Sequence, residues 1–469
     1  MKSTKKRAKK RRVSSPKVSR VKSKKPFRTY KQAMSYLFEK TDYEKEERLR
    51  YNVTTFNLNR MKKLLSLVGN PHKKIATVHI AGTKGKGSTA TMIARMLEAN
   101  GYKVGLYTSP HVISIHERIT VNNKMISENA LLDLLNRVFA SVEKLSKDDS
   151  PTFFEILTAI TFIYFLDKEV DIAIVETGLG GRLDSTNVIK PEVVGITSLS
   201  IDHQAQLGST LAQIAKEKAG VFKTGVPIVT VEQKPEAMRV LRTEAATLKA
   251  PISITGGDID FSCRFEASPE HGPHTRICLT TPTSKFEHLR VPLHGRHQAT
   301  NCALALAIID KLKSSGYEID IDKAAEGLDK VSLLGRMEII CEDPRILIDA
   351  AHNADSIEAL ILAIGQSIPY DSMVVIFGCN KDKDVEGMLD KLQYGADKVI
   401  FTRSTSPKAM SPDKLAEIYT QLCGKMCQSA SSLGEALRLA NSAIGKEDLI
   451  CITGSFYLIG QAKQRFLSN

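Results

Sequence analysis

The sequence predicts an α/β protein: a mostly parallel sheet domain of the phosphate-loop (P-loop) type, followed by a smaller Rossmann-like α/β domain. Three observations carry this. Residues 75–98 read as strand, glycine-rich loop and helix in immediate succession. Apolar, β-branched runs at 171–175, 193–199 and 226–231 alternate with helix-length segments, as parallel strands buried on both faces do. A second alternation begins near Leu334-Gly335-Arg336. The expected division is a basic tail over 1–25, a first domain over 26–332 and a second over 333–469.

The tail holds thirteen Lys or Arg and no acid, nearly all of the net charge of +14, so the rest of the chain is close to neutral. A segment this charged does not bury enough apolar surface to fold alone. It lacks the apolar centre of a secretory leader and the apolar face of a transit peptide. It reads as a solvated tail, with loose binding to nucleic acid or an anionic surface as the alternative. The chain as a whole is 42% hydrophobic and 25% charged, ordinary for a globular protein of two or three domains. No apolar run approaches the ~20 residues that span a bilayer.

Residues 27–70 look helical, with Tyr51-Asn52 preceding a periodic stretch through Leu58, Met61, Leu64, Leu65 and Val68 that stops at Gly69-Asn70-Pro71. Ile75 to Ile80 is the first strand, and Gly82-Thr83-Lys84-Gly85-Lys86-Gly87-Ser88-Thr89 follows at once. Glycines let backbone N–H groups close around an oxyanion, and the helix behind adds partial positive charge. Lys86 could reach terminal phosphates, and Ser88 or Thr89 could offer a hydroxyl to Mg²⁺. The spacing departs from the regular phosphate-loop pattern, because Gly87 separates Lys86 from Ser88 and Ile80 stands where the first glycine belongs.

The second strand, Tyr102 to Tyr107, ends at Thr108-Ser109-Pro110-His111. Residues 127–169 look mainly helical and contain Thr152-Phe153-Phe154-Glu155, where core packing and stacking on an aromatic ligand are both open. Asp171 to Val175 runs into Glu176, and Val193 to Leu199 leads to Asp202-His203. Ligands bind at the carboxyl ends of strands in open α/β sheets, so Glu176 and His203 are read as Mg²⁺-side residues. A helix over 211–222 holds Lys218, and residues 252–293 suggest a β-hairpin excursion. In the second domain, strands are expected at 346–348, 373–377, 398–401 and 449–453. The first ends in Asp349-Ala350-Ala351-His352-Asn353 and the last in Gly454-Ser455-Phe456-Tyr457. The site should therefore lie between the domains. All eight cysteines follow residue 262 without a CxxC pair. Cys423 and Cys427, one helical turn apart, read as one face of a helix. Reduced thiols in a cytoplasmic setting are expected.

Taken in order, HIAGTKGKGST, TSPH with ERI, VETGLGGRLDSTN, SIDHQAQLG, EKAGVF, HQATNCALA, LLGRME, DAAHN and TGSFYL resemble the motifs of folylpolyglutamate synthases and the similar dihydrofolate synthases, within the Mur ligase superfamily. The resemblance spans roughly residues 40–460 and leaves only the tail outside. It implies ATP and Mg²⁺ as cofactors, with a folate or dihydropteroate carboxylate phosphorylated and then attacked by the amino group of L-glutamate. On these motifs the ATP site would comprise Gly82 to Thr89 with Asn301, Arg336 and Asp349. The Mg²⁺ ligands would be Ser109, Glu176 and His203, joined by Lys218 as a carbamate. Lys86, Lys218, Asp349 and His352 would be catalytic, and Thr152, Phe154 and Ser455 would line the substrate. Lys84 stands where many members carry asparagine. No obligatory protein partner and a monomer are expected. One alternative, a muramyl-peptide ligase, carries a UDP-sugar domain before the glycine loop, whereas 81 residues precede Gly82 here. The other, a nucleic-acid-binding NTPase, would spread basic residues over the folded body.

Overall fold

The computed structural model describes residues 26–42, 56, 58–146, 149–268 and 272–467. The basic tail and the Tyr51-Asn52 helix start lie outside the described residues. Among the described residues, the helical stretch expected over 27–70 contains two helices, α1 (Tyr30–Phe38), capped by Thr29, and α2 (Leu58–Leu67), with a 3₁₀ turn following from Pro71.

The first sheet is built by β1 (Thr77–Ala81), α3 (Lys86–Ala99), β2 (Val104–Tyr107), β3 (Ile119–Val121), β4 (Lys124–Met125), α4 (Glu128–Val142), α5 (Phe153–Asp167), β5 (Ile172–Glu176), β6 (Val193–Ile196), α6 (Gln204–Leu207), α7 (Leu211–Ala219), β7 (Ile228–Val231), α8 (Pro235–Thr247) and β8 (Ile252–Thr255). Its order is β4-β3-β2-β5-β1-β6-β7-β8, parallel from β2 to β8 with an antiparallel edge. Every residue of β1, β5, β6 and β7 is buried, which is why these strands read as continuous apolar runs. The chain leaves β1 toward β2 on one side and later returns to β6 on the other. The strand order thus reverses at β1, where open α/β sheets leave a crevice.

Residues 252–293 depart from the expected hairpin. Ile252–Thr255 closes the main sheet, and β9 (Asp260–Ser268), β10 (Gly272–Thr280) and β11 (Lys285–Arg290) form a separate antiparallel sheet in the order β11-β10-β9. That sheet covers α9 (Arg296–Ser314), whose alanine-rich body packs with α3 beneath the main sheet and is followed by α10 (Ile321–Asp329).

The second sheet comprises β12 (Glu338–Glu342), β13 (Arg345–Ile348), α11 (Ala354–Ser367), β14 (Met373–Phe377), α12 (Val385–Leu392), β15 (Lys398–Phe401), α13 (Pro412–Cys423), β16 (Gln428–Ser429), α14 (Leu433–Asn441), β17 (Leu449–Thr453) and α15 (Phe456–Leu467). Its order is β12-β13-β17-β14-β15-β16, with only β12 antiparallel. The four strands not anticipated, β3, β4, β12 and β16, are short and lie at or beside a sheet edge: β4 and β16 are exposed, β12 is half-exposed, and β3, though mostly buried, is three residues long, so no sustained apolar run marks them. Cys423 and Cys427 do not share a helix face. Gly424 caps α13, and the Cys427 thiol folds back to within 3.8 Å of the Ala416 carbonyl.

Candidate active site

The glycine loop is held in place by its neighbours. Thr83 and Lys84 donate backbone N–H groups to the Ser198 carbonyl at 3.1 and 3.3 Å. Gly82 and Gly85 have φ of +147° and +82°. A Cβ would lie 1.8 Å from Thr197 Oγ1 at Gly82 and 2.1 Å from Asn301 Oδ1 at Gly85, so no larger residue fits either position. Gly85 is the N-cap of α3 and offers no side-chain cap, which leaves the first-turn N–H groups of the helix available to an anion. Ser88 lies on the cavity wall. Thr89 does not: it is fully buried, and its hydroxyl finds no partner among the described residues.

Opposite Lys86 stands Glu176, the last residue of β5, with 3.8 Å between Nζ and Oε1. Ser109 donates its N–H to the same carboxylate at 3.1 Å. Burial raises the Glu176 carboxyl to about 7, against the pull of Lys86, the Ser109 N–H, Arg336 and Arg118. Lys218 projects from α7, buried, and donates to the Gly82 carbonyl at 2.7 Å. Burial and then Lys86 lower its amine to about 7, while Asp202 and Asp184 oppose. His203 lies beyond β6 at φ +50°, and its N–H caps the Asp202 carboxylate at 2.8 Å. Its ring still reaches water, but crowding by the cleft walls, with Lys383 and Lys218, pushes it down to about 3 against Asp202.

The second sheet supplies the facing wall. Asp349 follows β13 and accepts N–H groups from Met337 (2.9 Å) and Ala351 (2.8 Å), with Arg336 near enough to oppose the upward push of burial. The His352 ring sets Nδ1 2.7 Å from the Ala350 carbonyl, so Nδ1 carries the hydrogen and Nε2 keeps a bare lone pair. Burial and Lys383 bring it to about 4. Ser455 accepts the Tyr457 N–H at 3.2 Å and starts α15, and Arg336 lies over the Phe456 ring at 5.5 Å. Asn301 is oriented by donating to Gln298 Oε1 at 3.0 Å.

One cavity of about 770 Å³ gathers these groups, within the range of small-molecule sites. Every expected site residue except Thr89 lines it. Its aromatic end separates Phe153 from Phe154. Both line the cavity, but Phe153 is fully buried, whereas Phe154 is half-buried, its ring 5.8 Å from Tyr107 and pressed on Gly178. The Thr152 hydroxyl is already used: it caps α5 in a reciprocal pair with Glu155 (3.2 and 2.8 Å), whose carboxylate also holds buried Arg60 at 2.8 Å. Lys383, Lys408 and Asn380 also line the cavity and were not anticipated. They lie in the longer loops after β14 and β15, Lys383 and Lys408 well past the strand ends, so the rule that singled out Asp349 and Ser455, polar residues just past strand ends, does not reach those two. Ion pairs cross the cleft from Lys84 to Asp355 at 2.8 Å and from Lys383 to Asp202 at 3.2 Å.

The donor set suits Mg²⁺. Among the described residues no three His, Cys, Asp or Glu side chains converge into a metal cage. Mg²⁺ is commonly held by one or two carboxylates plus substrate phosphates and water, and buried Glu176 beside the anion-ready loop offers that arrangement.

Residues 80–309 match the Mur ligase middle domain and residues 335–456 the Mur ligase glutamate ligase domain. The chain is 37% identical to a dihydrofolate synthase/folylpolyglutamate synthase of Bacillus subtilis over 89% of its length and 96% of the relative. It is 35% identical to a folylpolyglutamate synthase of Lacticaseibacillus casei over 87% and 94%. Among solved structures, Mycobacterium tuberculosis folylpolyglutamate synthase complexed with ADP superposes with a TM-score of 0.85 at 31% identity, covering 93% of this chain and 98% of that one. An FPGS–AMPPCP–folate complex gives 0.80 at 31%, covering 94% and 100%.

Proposed function

Because the chain belongs to the Mur ligase family, among its folylpolyglutamate and dihydrofolate synthases, we propose that it joins L-glutamate to the carboxylate of a folate or dihydropteroate with cleavage of ATP. The observation that carries this reading is one cavity with a phosphate-type loop on one wall and Lys383, Lys408 and His352 on the other. The two ends suit the two partners of a ligation.

In the forward reaction a carboxylate oxygen of the acceptor attacks the γ-phosphorus of ATP, and the bond to ADP breaks. The glutamate amine then attacks the acyl carbon and loses a proton as phosphate leaves. Phosphoryl transfer asks a protein for position and charge more than for a nucleophile. Lys86 and the α3 N–H groups serve the triphosphate, Asn301, Arg336 and Asp349 the nucleoside side. Bound Mg²⁺ would supply positive charge to the transferring phosphoryl group, held by Glu176, His203 and Ser109. Lys218 joins them as a carbamate: an amine already lowered to about 7 is partly neutral, which attack on CO₂ requires. Lys383 and Lys408 suit the two carboxylates of glutamate. His352 Nε2 accepts an N–H of the incoming amine and so aims it, and its low proton affinity keeps that lone pair free. Ser455 lies beside it, and Thr152 and Phe154 border the acceptor's aromatic end.

Residues 26–332 are accordingly read as the ATP-binding domain, residues 333–469 as the glutamate-ligase domain, and residues 1–25 as a dispensable tail that binds nucleic acid or anionic surfaces weakly. We place the protein in the cytoplasm as a monomer without an obligatory protein partner. Support for the cytoplasmic placement comes from the eight cysteines, which are all free, as thiols are where they are kept reduced. The test is phosphate release with ATP, Mg²⁺ and L-glutamate, comparing dihydropteroate with a tetrahydrofolate. Release should need all components together. Turnover with a UDP-muramyl acceptor, or stimulation by nucleic acid alone, would refute the reading.

A further inference from the structure

Polyglutamylation repeats at one site, so the acceptor grows while its reacting carboxylate must return to the same place beside Lys86. Each γ-linked glutamyl unit adds five backbone bonds, about 6 Å when extended. The distal end of the acceptor must therefore move. Inward, the cavity is closed by buried Phe153, by Phe154 against Tyr107 and Gly178, and by the buried Arg60–Glu155 pair. Outward, it shares Phe38 and His111 with a second, shallower concavity of about 540 Å³ between α1 and residues 111–115. That trough is floored by Met34, Ile113 and Ile115, flanked by Tyr30, and has Lys31 at its rim.

We propose that this trough is a subsite for the displaced pteridine and aminobenzoyl rings of acceptors that already carry glutamyl units, and that it sets how far extension proceeds. The proposal rests on the ligase reading above and deepens it. The fit is chemical. The occupant's ring faces can pack on Met34, Ile113, Ile115, Tyr30 and Phe38 while its polar edges stay toward solvent and the trough's hydroxyls, and continuity through Phe38 and His111 gives a path along the protein surface. Lys31, also lining the trough, supplies a positive charge suited to a glutamyl carboxylate. The reacting end stays in the main cavity throughout.

The test uses the full chain and two acceptors, tetrahydropteroyl mono- and triglutamate. Ser35 lines only the trough, on the exposed side of α1. Ser35→Trp should fill it, lowering kcat/KM for the triglutamate about tenfold while the monoglutamate stays within about twofold. Ile113→Asp, on the opposite wall, should act in the same direction, and Ser35→Ala should leave both acceptors unchanged. Equal losses on both acceptors in both blocking variants, or no loss in either, would overturn the subsite and leave the ligase reading intact. Absence of turnover with either acceptor by the unmodified chain would overturn both.

Discussion

Burial and the neighbouring Lys86 bring the Lys218 amine down to about 7, where an ordinary lysine would hold its proton. A carbamate forms from the neutral amine and releases a proton, so it gains as pH rises through about 7 and is lost below. Activity should therefore climb with pH through that window and respond to added bicarbonate. Lys218→Ala should lose kcat by on the order of 10²–10³-fold, as when one preorganised charge-stabilising group is removed. Formate or acetate should restore part of it. An active alanine variant indifferent to bicarbonate would show that turnover needs neither a carbamate at Lys218 nor its hydrogen bond to Gly82. Glu176, raised to about 7 in the same region, makes the same physical point. Groups gathered here are desolvated together and are poised for a partner that restores charge balance.

At the scale of elements, α7 is aimed by the loop after β5. Arg182 donates its N–H to the Glu217 carbonyl at 2.8 Å and pairs its guanidinium with the Glu217 carboxylate. Asn187 donates to the Gly220 carbonyl at 3.0 Å. A Cβ at Gly181 would stand 2.8 Å from Glu217 O and 2.9 Å from Lys218 O, both rigid backbone atoms. Gly181→Ala should therefore push α7 away, costing about 1–3 kcal/mol of stability and most of the activity through Lys218. Gly365 lies inside α11 with nothing near it, so Gly365→Ala should be neutral or stabilise by up to about 1 kcal/mol. Denaturation midpoints and kcat of the two variants check the contrast. Equal behaviour would mean that the loop does not set the position of Lys218.

For the whole molecule, the Lys84–Asp355 and Lys383–Asp202 ion pairs across the cleft differ in worth. Lys84 and Asp355 have side chains 26% and 65% exposed, whereas Lys383 and Asp202 are at 14% and 11%. Solvent screens the first pair, so Asp355→Ala should change kcat/KM by less than about fivefold, corresponding to at most about 1 kcal/mol. Lys383→Met removes a shielded cation that also suits a glutamate carboxylate. KM for glutamate should rise about 10- to 100-fold, as for a charged hydrogen bond worth roughly 1.5–3 kcal/mol. A small effect at Lys383 would place glutamate elsewhere in the cleft. The same geometry says that neither half suffices: residues 26–332 alone lack Arg336, Asp349, His352 and Lys383 and should not ligate.

The strand, loop and helix at 75–99, the buried parallel strands and the residues just past their ends were legible because each is a local pattern. An apolar β-branched run, a glycine where nothing larger fits and a polar group after a strand all leave marks in adjacent residues. The ordered motifs then implied which chemistry those ends serve. β3, β4, β12 and β16 were not legible, because they are short and lie at or beside a sheet edge, so no sustained apolar run marks them; β3–β4 and β12–β13 pair across tight turns, and β16 alone of the four rests on a remote partner only. Nor was the parting of the Cys423 and Cys427 thiols by a helix cap; the use of the Thr152 hydroxyl by its own helix, in contrast, is a capping box written in adjacent residues. Only the tertiary structure divided Phe153 from Phe154, turned Ser88 toward the cavity and Thr89 away, and brought Lys383 to Asp202 across 181 residues. Burial and approach between remote segments decide such matters, and neither is encoded in the spacing of neighbours.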